Sequence, residues 1–283
     1  MSEFLDFCQS QGLLVDHIEA DGRWHRVPTS AHPRKKNGAY ALSGRYGAVI
    51  DFATMSEHAT WFDGKGGVAD RAEITRLLAK ARADEERAQA KARELAADMM
   101  KRASYDTHPY LAKKGFPQEK GFVLDGELLI PMREWPKCGV VNSLQRINAD
   151  GKKLFLAGGK AKNSALKLGH GFETWLCEGY ATALSVLAAL KELRRQATVL
   201  VCFSSGNLAK IGQRIKARGW KDCYVMADND PESKAGEKAA VETGLPWVMP
   251  QLVKDGEKTD ANDLHKDYGV RAVAGLMRGV LIA

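Results

Sequence analysis

Leu176-Cys177-Glu178-Gly179-Tyr180 and Val225-Met226-Ala227-Asp228-Asn229-Asp230 are two apolar runs that each end abruptly in acid. Apolar runs of this length, bounded by turn residues, read as buried strands. A carboxylate just past the C-terminal end of a buried parallel strand lies where open α/β sheets bind their ligands. Around these runs the chain alternates between the two periodicities. Strands are expected at 174–177, 198–203, 223–227 and 246–249, and helices at 181–193, 208–217, 234–243 and 261–267. Four such units predict an α/β domain over 171–283, a four-stranded parallel sheet flanked by helices. One Glu and two Asp gathered at one sheet edge need a counter-charge, and hard oxygen ligands suit Mg²⁺ or Mn²⁺.

Upstream, residues 105–170 form a basic, strand-rich α+β lobe. His108-Pro109-Tyr110-Leu111 opens a short helix that stops at Gly115. Alternating stretches at 128–132, 140–148 and 153–156 follow, with Asp150-Gly151 as a hairpin turn. Before the lobe, residues 66–104 predict a long connector helix. Ile74, Leu77, Leu78 and Ala81 recur at helical spacing, and 83–102 is nearly all Ala, Glu, Arg, Lys and Gln. Residues 1–65 predict a small α+β module: a helix over 2–12, then strands at 24–27, 39–42 and 48–52 between Gly-containing turns.

Charge and cysteine usage narrow the function. Of the net charge of +7, the lobe at 105–170 carries +5, with 11 basic and 6 acidic side chains. Residues 21–46 add six Lys/Arg against one Asp. A polyanionic partner explains two concentrated basic regions, and a solvated surface explains them equally well on charge alone. The five cysteines are scattered and no C-x-x-C pair occurs, so a zinc site is not expected. No run approaches the roughly 18 apolar residues of a membrane span, and the N-terminus lacks a signal-peptide pattern. A reduced, cytoplasmic protein without a membrane partner is the expectation. No G-x-x-x-x-G-K-[ST] is present, so no P-loop helicase lies within these residues.

Glu178-Gly179-Tyr180 after one strand, Asp228-Asn229-Asp230 after another and Asp260-Ala261-Asn262-Asp263-Leu264 further on resemble a Toprim domain. With Ala20-Asp21-Gly22-Arg23-Trp24-His25-Arg26, the polar connector and His108-Pro109-Tyr110-Leu111, nearly the whole chain resembles the Toprim primases of conjugative plasmids and phages, relatives of the DnaG type. The resemblance implies a catalytic role for Glu178, Asp228 and Asp230. It implies metal binding by Glu178, Asp228 and Asp230, completed by Asp263 with Asp260. It further implies nucleotide or template contact by Arg146, Lys153, Lys160 and Lys162 of the lobe. Two features depart from the DnaG pattern: Thr182 stands where an Asp four residues after the Glu is common, and no N-terminal zinc-binding cluster is present. Taken alone, Asp228 and Asp230 would read as a helix cap or an Asx-turn. Three acidic loops converging on one sheet edge favour the metal site.

Two further segments carry expectations. Ser204-Ser205-Gly206-Asn207 opens a helix, where free N–H groups suit a phosphate and Ser or Asn equally suit a cap, so Ser205, Gly206 and Asn207 are candidate nucleotide contacts. In the N-terminal module Arg23, Arg26, Arg34, Lys35, Lys36 and Arg45 interleave with Trp24, Tyr40 and Tyr46, a pattern suited to single-stranded nucleic acid, although both Trp24 and Tyr40 fit a core as well. The leading expectation is a primase joining NTPs into short RNA on single-stranded DNA, with a helicase in trans as a partner. A Toprim nuclease and a catalytically weak nucleic-acid-binding accessory are the alternatives. A topoisomerase is disfavoured, because no further large domain within 283 residues supplies a catalytic Tyr.

Overall fold

The computed structural model describes residues 2–34, 36–52, 55, 58–63, 68–252 and 256–281, so Lys35 lies outside the described residues. Two compact units divide the chain at 86/87.

The first unit opens with α1 (Ser2–Ser10) and continues as an antiparallel sheet of β1 (His25–Val27), β2 (Gly38–Ser43), β3 (Tyr46–Asp51) and β4 (Ala59–Phe62), paired in that order. Phe4 and Cys8 of α1 pack on Tyr40, Leu42 and Val49, joined by Leu13, Val15 and Ile18 from the following loop. Three of the strands match the sequence reading within a residue or two; β4 has only four residues and a half-buried pattern, too weak a signal to find. Tyr40 belongs to this core, with its hydroxyl accepting from Glu19 N at 3.1 Å, whereas Trp24 is 44% exposed.

The chain then enters α2 (Val68–Arg102). Its C-terminal half is not purely polar: Ala96 and Met99 are buried against Leu129, Leu144 and Leu156. Helical spacing brings these small apolar residues to one stripe, which explains why a helix of low hydrophobicity docks there.

The second unit is built on one ten-stranded sheet. Its first part holds β5 (Ser104–Thr107), the short α3 (Pro109–Lys113), β6 (Lys120–Leu124), β7 (Glu127–Glu134), β8 (Val141–Ile147) and β9 (Lys153–Phe155). β10 (Ser164–Gly169) links this antiparallel part to the rest, pairing with β7 at one end and β12 along its length. The expected segments 105–170 and 171–283 therefore share a sheet and fall in one unit.

Beyond β10 come β11 (Glu173–Cys177), α4 (Tyr180–Glu192), β12 (Ala197–Val201), α5 (Ser205–Ala217), β13 (Cys223–Met226), α6 (Ala235–Thr243), β14 (Trp247–Val248), α7 (Ala261–Tyr268) and α8 (Val270–Leu281). The order β14-β13-β11-β12 is parallel throughout, as the four βα units require. β11 and β12 are buried at every residue, the mark of a parallel sheet covered on both faces. Trp175, Cys177, Val199 and Val201 face α4 and α8, while Leu176, Leu200 and Val225 face Leu208, Ile211 and Ile215 of α5 and Ala239 of α6. Helix α8 was not expected from sequence. Gly275 and Gly279 weaken its local signal, and burial of Val273, Ala274 and Met277 on the sheet provides what propensity does not.

Candidate metal site

Parallel strands deliver their C-terminal ends to one edge, and a cavity of about 150 Å³ opens there. Glu178 enters from the turn between β11 and α4, Asp228 from the end of β13, and Asp260 from the start of α7. Lys114 follows α3, Lys153 comes from β9 and Lys258 from the loop before α7. Tyr110, Gln145, Thr182 and Phe203 complete much of the wall.

The main chain fixes Asp228 from two sides. Asn229 N donates to Thr259 O at 2.9 Å, and Thr259 N donates back to Asn229 O at 2.8 Å. Asn229 Nδ2 also donates to Pro250 O at 3.0 Å. This short bridge lays the loop carrying Lys258 against Asp228, so that Lys258 Nζ stands 3.1 Å from Asp228 Oδ2. The other oxygen, Oδ1, is buried with no partner among the described residues. Burial, then the neighbouring Glu178, push the Asp228 carboxyl up to about 7, and Lys258 only partly offsets them. Burial works against the Lys258 ammonium, but Asp228 and Glu178 outweigh it and hold Lys258 above the ordinary lysine value. Lys153 is lowered by lost solvation and then by Lys114 beside it.

Asp228 titration has a definite sign. Its folded pKa stands above the ordinary 3.8, so the metal-free fold binds a proton there that the unfolded chain releases. Asp228 should therefore lower metal-free stability as pH rises from about 4 to about 7, by up to about 1.4 kcal/mol per pH unit. Denaturant unfolding in EDTA between these limits should show the wild type losing stability relative to Asp228→Asn. Parallel curves for the two proteins would overturn the assignment of the charge cost to Asp228.

The remaining expected residues fall in other places. Asp230 does not line the cavity; its Oδ1 accepts from Glu232 N and Ser233 N, both at 3.1 Å, in an Asx-turn. The Ser233 backbone hydrogen bond is the chief reason its pKa is lowered. Asp263 closes a capping box: Asp260 Oδ1 accepts from Asn262 N and Asp263 N, and Asp263 Oδ2 accepts from Asp260 N. Arg146 faces away from the cavity, because alternation along β8 turns Gln145 and Ile147 to one side and Leu144 and Arg146 to the other. Arg146 pairs with Glu127 at 3.4 Å instead. Lys160 and Lys162 lie on the loop before β10, outside the cavity lining. The close approach at Gly159 is to the chain itself: a Cβ there would lie 2.0 Å from Ser143 Oγ.

Ser205 and Gly206 open α5, also outside the cavity lining. Asn207 is a buried clasp: Nδ2 donates to Ser164 O and Cys202 O, each at 2.8 Å, while Oδ1 accepts from Asn163 N at 2.8 Å. It ties β10 to the end of β12. Asn207→Ala leaves these groups without that partner and should cost about 2–4 kcal/mol, given roughly 1–3 kcal/mol for each buried group left unsatisfied. Thermal unfolding checks this; an unchanged Tm would show that the clasp does not matter.

Sequence reasoning missed Lys258, Lys114, Tyr110 and Asn262. Asn262 Nδ2 donates to Lys114 O at 2.8 Å and to Ser185 Oγ at 3.1 Å, holding α7 to α4 and to the end of α3. The repeated acid-rich motif around it was legible, but its long-range partners were not.

In the first unit, Arg26 donates to Lys36 O at 3.0 Å and lies over the Phe52 ring. Arg45 pairs with Asp63, and Arg23 lies 4.0 Å from Asp21. Arg34 and Lys36 are exposed. Glu19, Asp21 and His25 are the one trio of potential metal ligands, among the described residues, with ligand atoms all within 4.8 Å of one another. His25 Nε2 and Asp21 Oδ1 are 2.8 Å apart and satisfy each other.

Glu178, Asp228 and Asp260 are thus brought to one cavity without being drawn as tightly as that trio. The donor set nevertheless fits a hard divalent cation: three carboxylates share the wall, and one buried Asp228 oxygen has no partner among the described residues.

Residues 173–270 match the family model of the Toprim domain. The chain is an α/β protein containing a Toprim domain. Among solved structures, it is similar to the primase fragment of the bacteriophage T7 primase-helicase protein, at 17% identity and a TM-score of 0.43, over 62% of this chain and 75% of that one. It is also similar to a chain in an assembly of bacteriophage T7 lagging-strand DNA polymerase with primase domains bound to an RNA/DNA hybrid and dTTP, at 18% identity and a TM-score of 0.42, over 63% and 92%. Among the described residues, no helix is long and apolar enough to cross a membrane.

Proposed function

We propose that this chain is a DNA primase, joining NTPs into short RNA on a single-stranded DNA template with Mg²⁺ or Mn²⁺, in replication of plasmid or phage type. The observation that carries the reading is the cavity at the C-terminal edge of the Toprim sheet, where Glu178, Asp228 and Asp260 face Lys114, Lys153 and Lys258. Glu178, Asp228 and Asp260 would hold the cation. When bound, it supplies charge stabilisation to the attacking and leaving oxygens of a phosphoryl transfer. Lys153 and Lys114 put two ammonium groups on the same wall, and ammonium suits a nucleotide phosphate as a point charge. The capping box fixes Asp260, and the Asn229–Thr259 bridge fixes Asp228, so neither carboxylate must be ordered at the moment of reaction. Exposed Arg34 and Lys36 in the first unit suit the template backbone, and a replicative helicase is the partner proposed for the primase.

Incubation with single-stranded DNA, labelled NTPs and Mg²⁺ or Mn²⁺ tests the proposal. New oligoribonucleotides are expected. Shortened DNA would make the chain a nuclease on the same carboxylates, and template binding with neither product would make it a binding module.

A further inference from the structure

Three carboxylates and three ammonium groups line the cavity, so the site is electrically balanced before any cation arrives. A divalent ion entering such a site leaves it with two excess positive charges, and withdrawal of one resident ammonium group halves that excess. Among the described residues, Lys258 is the cavity lysine that pairs with one of the site's acids, its Nζ 3.1 Å from Asp228 Oδ2. Lys258 is also placed to leave. Its side chain keeps 49% of its exposure while that of Asp228 keeps 8%, so the ammonium reaches water by a change of rotamer and the carboxylate does not. What the pairing leaves idle is the second oxygen, Oδ1, buried without a partner among the described residues. Lysine's compact charge neutralises one oxygen and cannot serve both in the bidentate manner of an arginine.

We propose that Lys258 is a resident counter-cation of this site, neutralising Asp228 in the metal-free protein and yielding that carboxylate when a divalent cation binds, so that it sets the metal affinity. The inference rests on the reading of Glu178, Asp228 and Asp260 as the metal site. It explains why the sequence carries a lysine two residues before Asp260: the Asn229–Thr259 bridge delivers that position to Asp228.

Mn²⁺ binding, followed by electron paramagnetic resonance of the free ion or by calorimetry, tests it on the whole chain. Lys258→Met removes the charge and keeps most of the stem; Lys258→Gln repeats the test should the first variant fold poorly. Either should bind Mn²⁺ roughly tenfold more tightly than wild type, within the usual range of coupling between two ligands of one site. In EDTA the variants should melt below wild type, because Asp228 loses its partner, and saturating Mn²⁺ should remove the difference. In an Asp228→Asn background, Lys258→Met should change Mn²⁺ affinity little. Unchanged or weaker binding by both Lys258 variants, with wild type still binding, would overturn the proposal and leave Lys258 a structural partner. No Mn²⁺ binding by any variant, wild type included, would overturn the metal reading itself and this proposal with it.

Discussion

Asp228→Asn should lower primer synthesis by roughly 10³-fold or more, the scale on which losing one well-placed electrostatic group slows catalysis. Asparagine keeps the shape of the side chain and removes only the charge. The cavity should therefore survive, while the buried oxygen that lacks a partner no longer attracts a cation. The fold should not suffer. Asp228 is a buried carboxyl pushed up to about 7, so above that pH the wild type bears the cost of an ionised buried group that the variant does not. Metal-free Tm at pH 8 should be equal or higher in the variant. Mn²⁺ at 100 times its Kd should stabilise wild type by about 2.7 kcal/mol, since it binds only the native state, and should barely move the variant. Wild-type primer yield from Asp228→Asn, with an equal Mn²⁺ shift in both proteins, would place the chemistry elsewhere.

Why Asp228 could be found from sequence and other site residues could not follows from how each is positioned. Glu178 and Asp228 stand at the ends of apolar runs, and a parallel strand buried at all or nearly all of its residues announces itself by composition. Asp230 and Asp263 share that neighbourhood, yet each carboxylate accepts from nearby main-chain N–H groups, Asp230 from two that follow it and Asp263 from Asp260 N three residues back, and sequence does not say which use prevails. Arg146 turned on parity: one step along β8 separates the cavity face from the face under α2, and the strand's ends were uncertain by that much. Asn207 reads as a helix cap by type, but its side-chain partners are Ser164 of β10, a strand the sequence did not reveal, Asn163 just before it and Cys202 just after β12. Lys258 depends on a two-residue bridge between distant loops, which no local pattern encodes. Domain organisation was obscured for a similar reason. Lobe and Toprim strands looked separate because the short β10 that joins them is buried only at its first two residues and follows an irregular glycine-rich loop.

Gly236→Ala should disable the site from behind. Gly236 lies in the first turn of α6, and a Cβ there would stand 2.2 Å from the Asp228 carbonyl oxygen and 3.0 Å from its carbonyl carbon and nitrogen. Those are backbone atoms, and the next residue, Asn229, is tied to Thr259 through both its N–H and its carbonyl. A methyl group therefore cannot be accommodated by a rotamer change; either α6 lifts away from the sheet or the Asp228 main chain moves. Lifting α6 strains packing around Ala239 and Ala240 and should cost about 1–3 kcal/mol, as overpacking does. Moving Asp228 displaces the carboxylate relative to Glu178 and Asp260, and a misplacement of about 1 Å is worth roughly 10²-fold in rate. Primer yield should fall by about that factor, with weaker Mn²⁺ binding in a protein that still folds. Gly275→Ala on α8 is the control: nothing lies within 4 Å of the added carbon, and alanine is the better helix former by about 1 kcal/mol, so Tm should rise slightly and yield should stay unchanged. Native Tm, yield and Mn²⁺ affinity in Gly236→Ala would show that α6 does not set the position of Asp228.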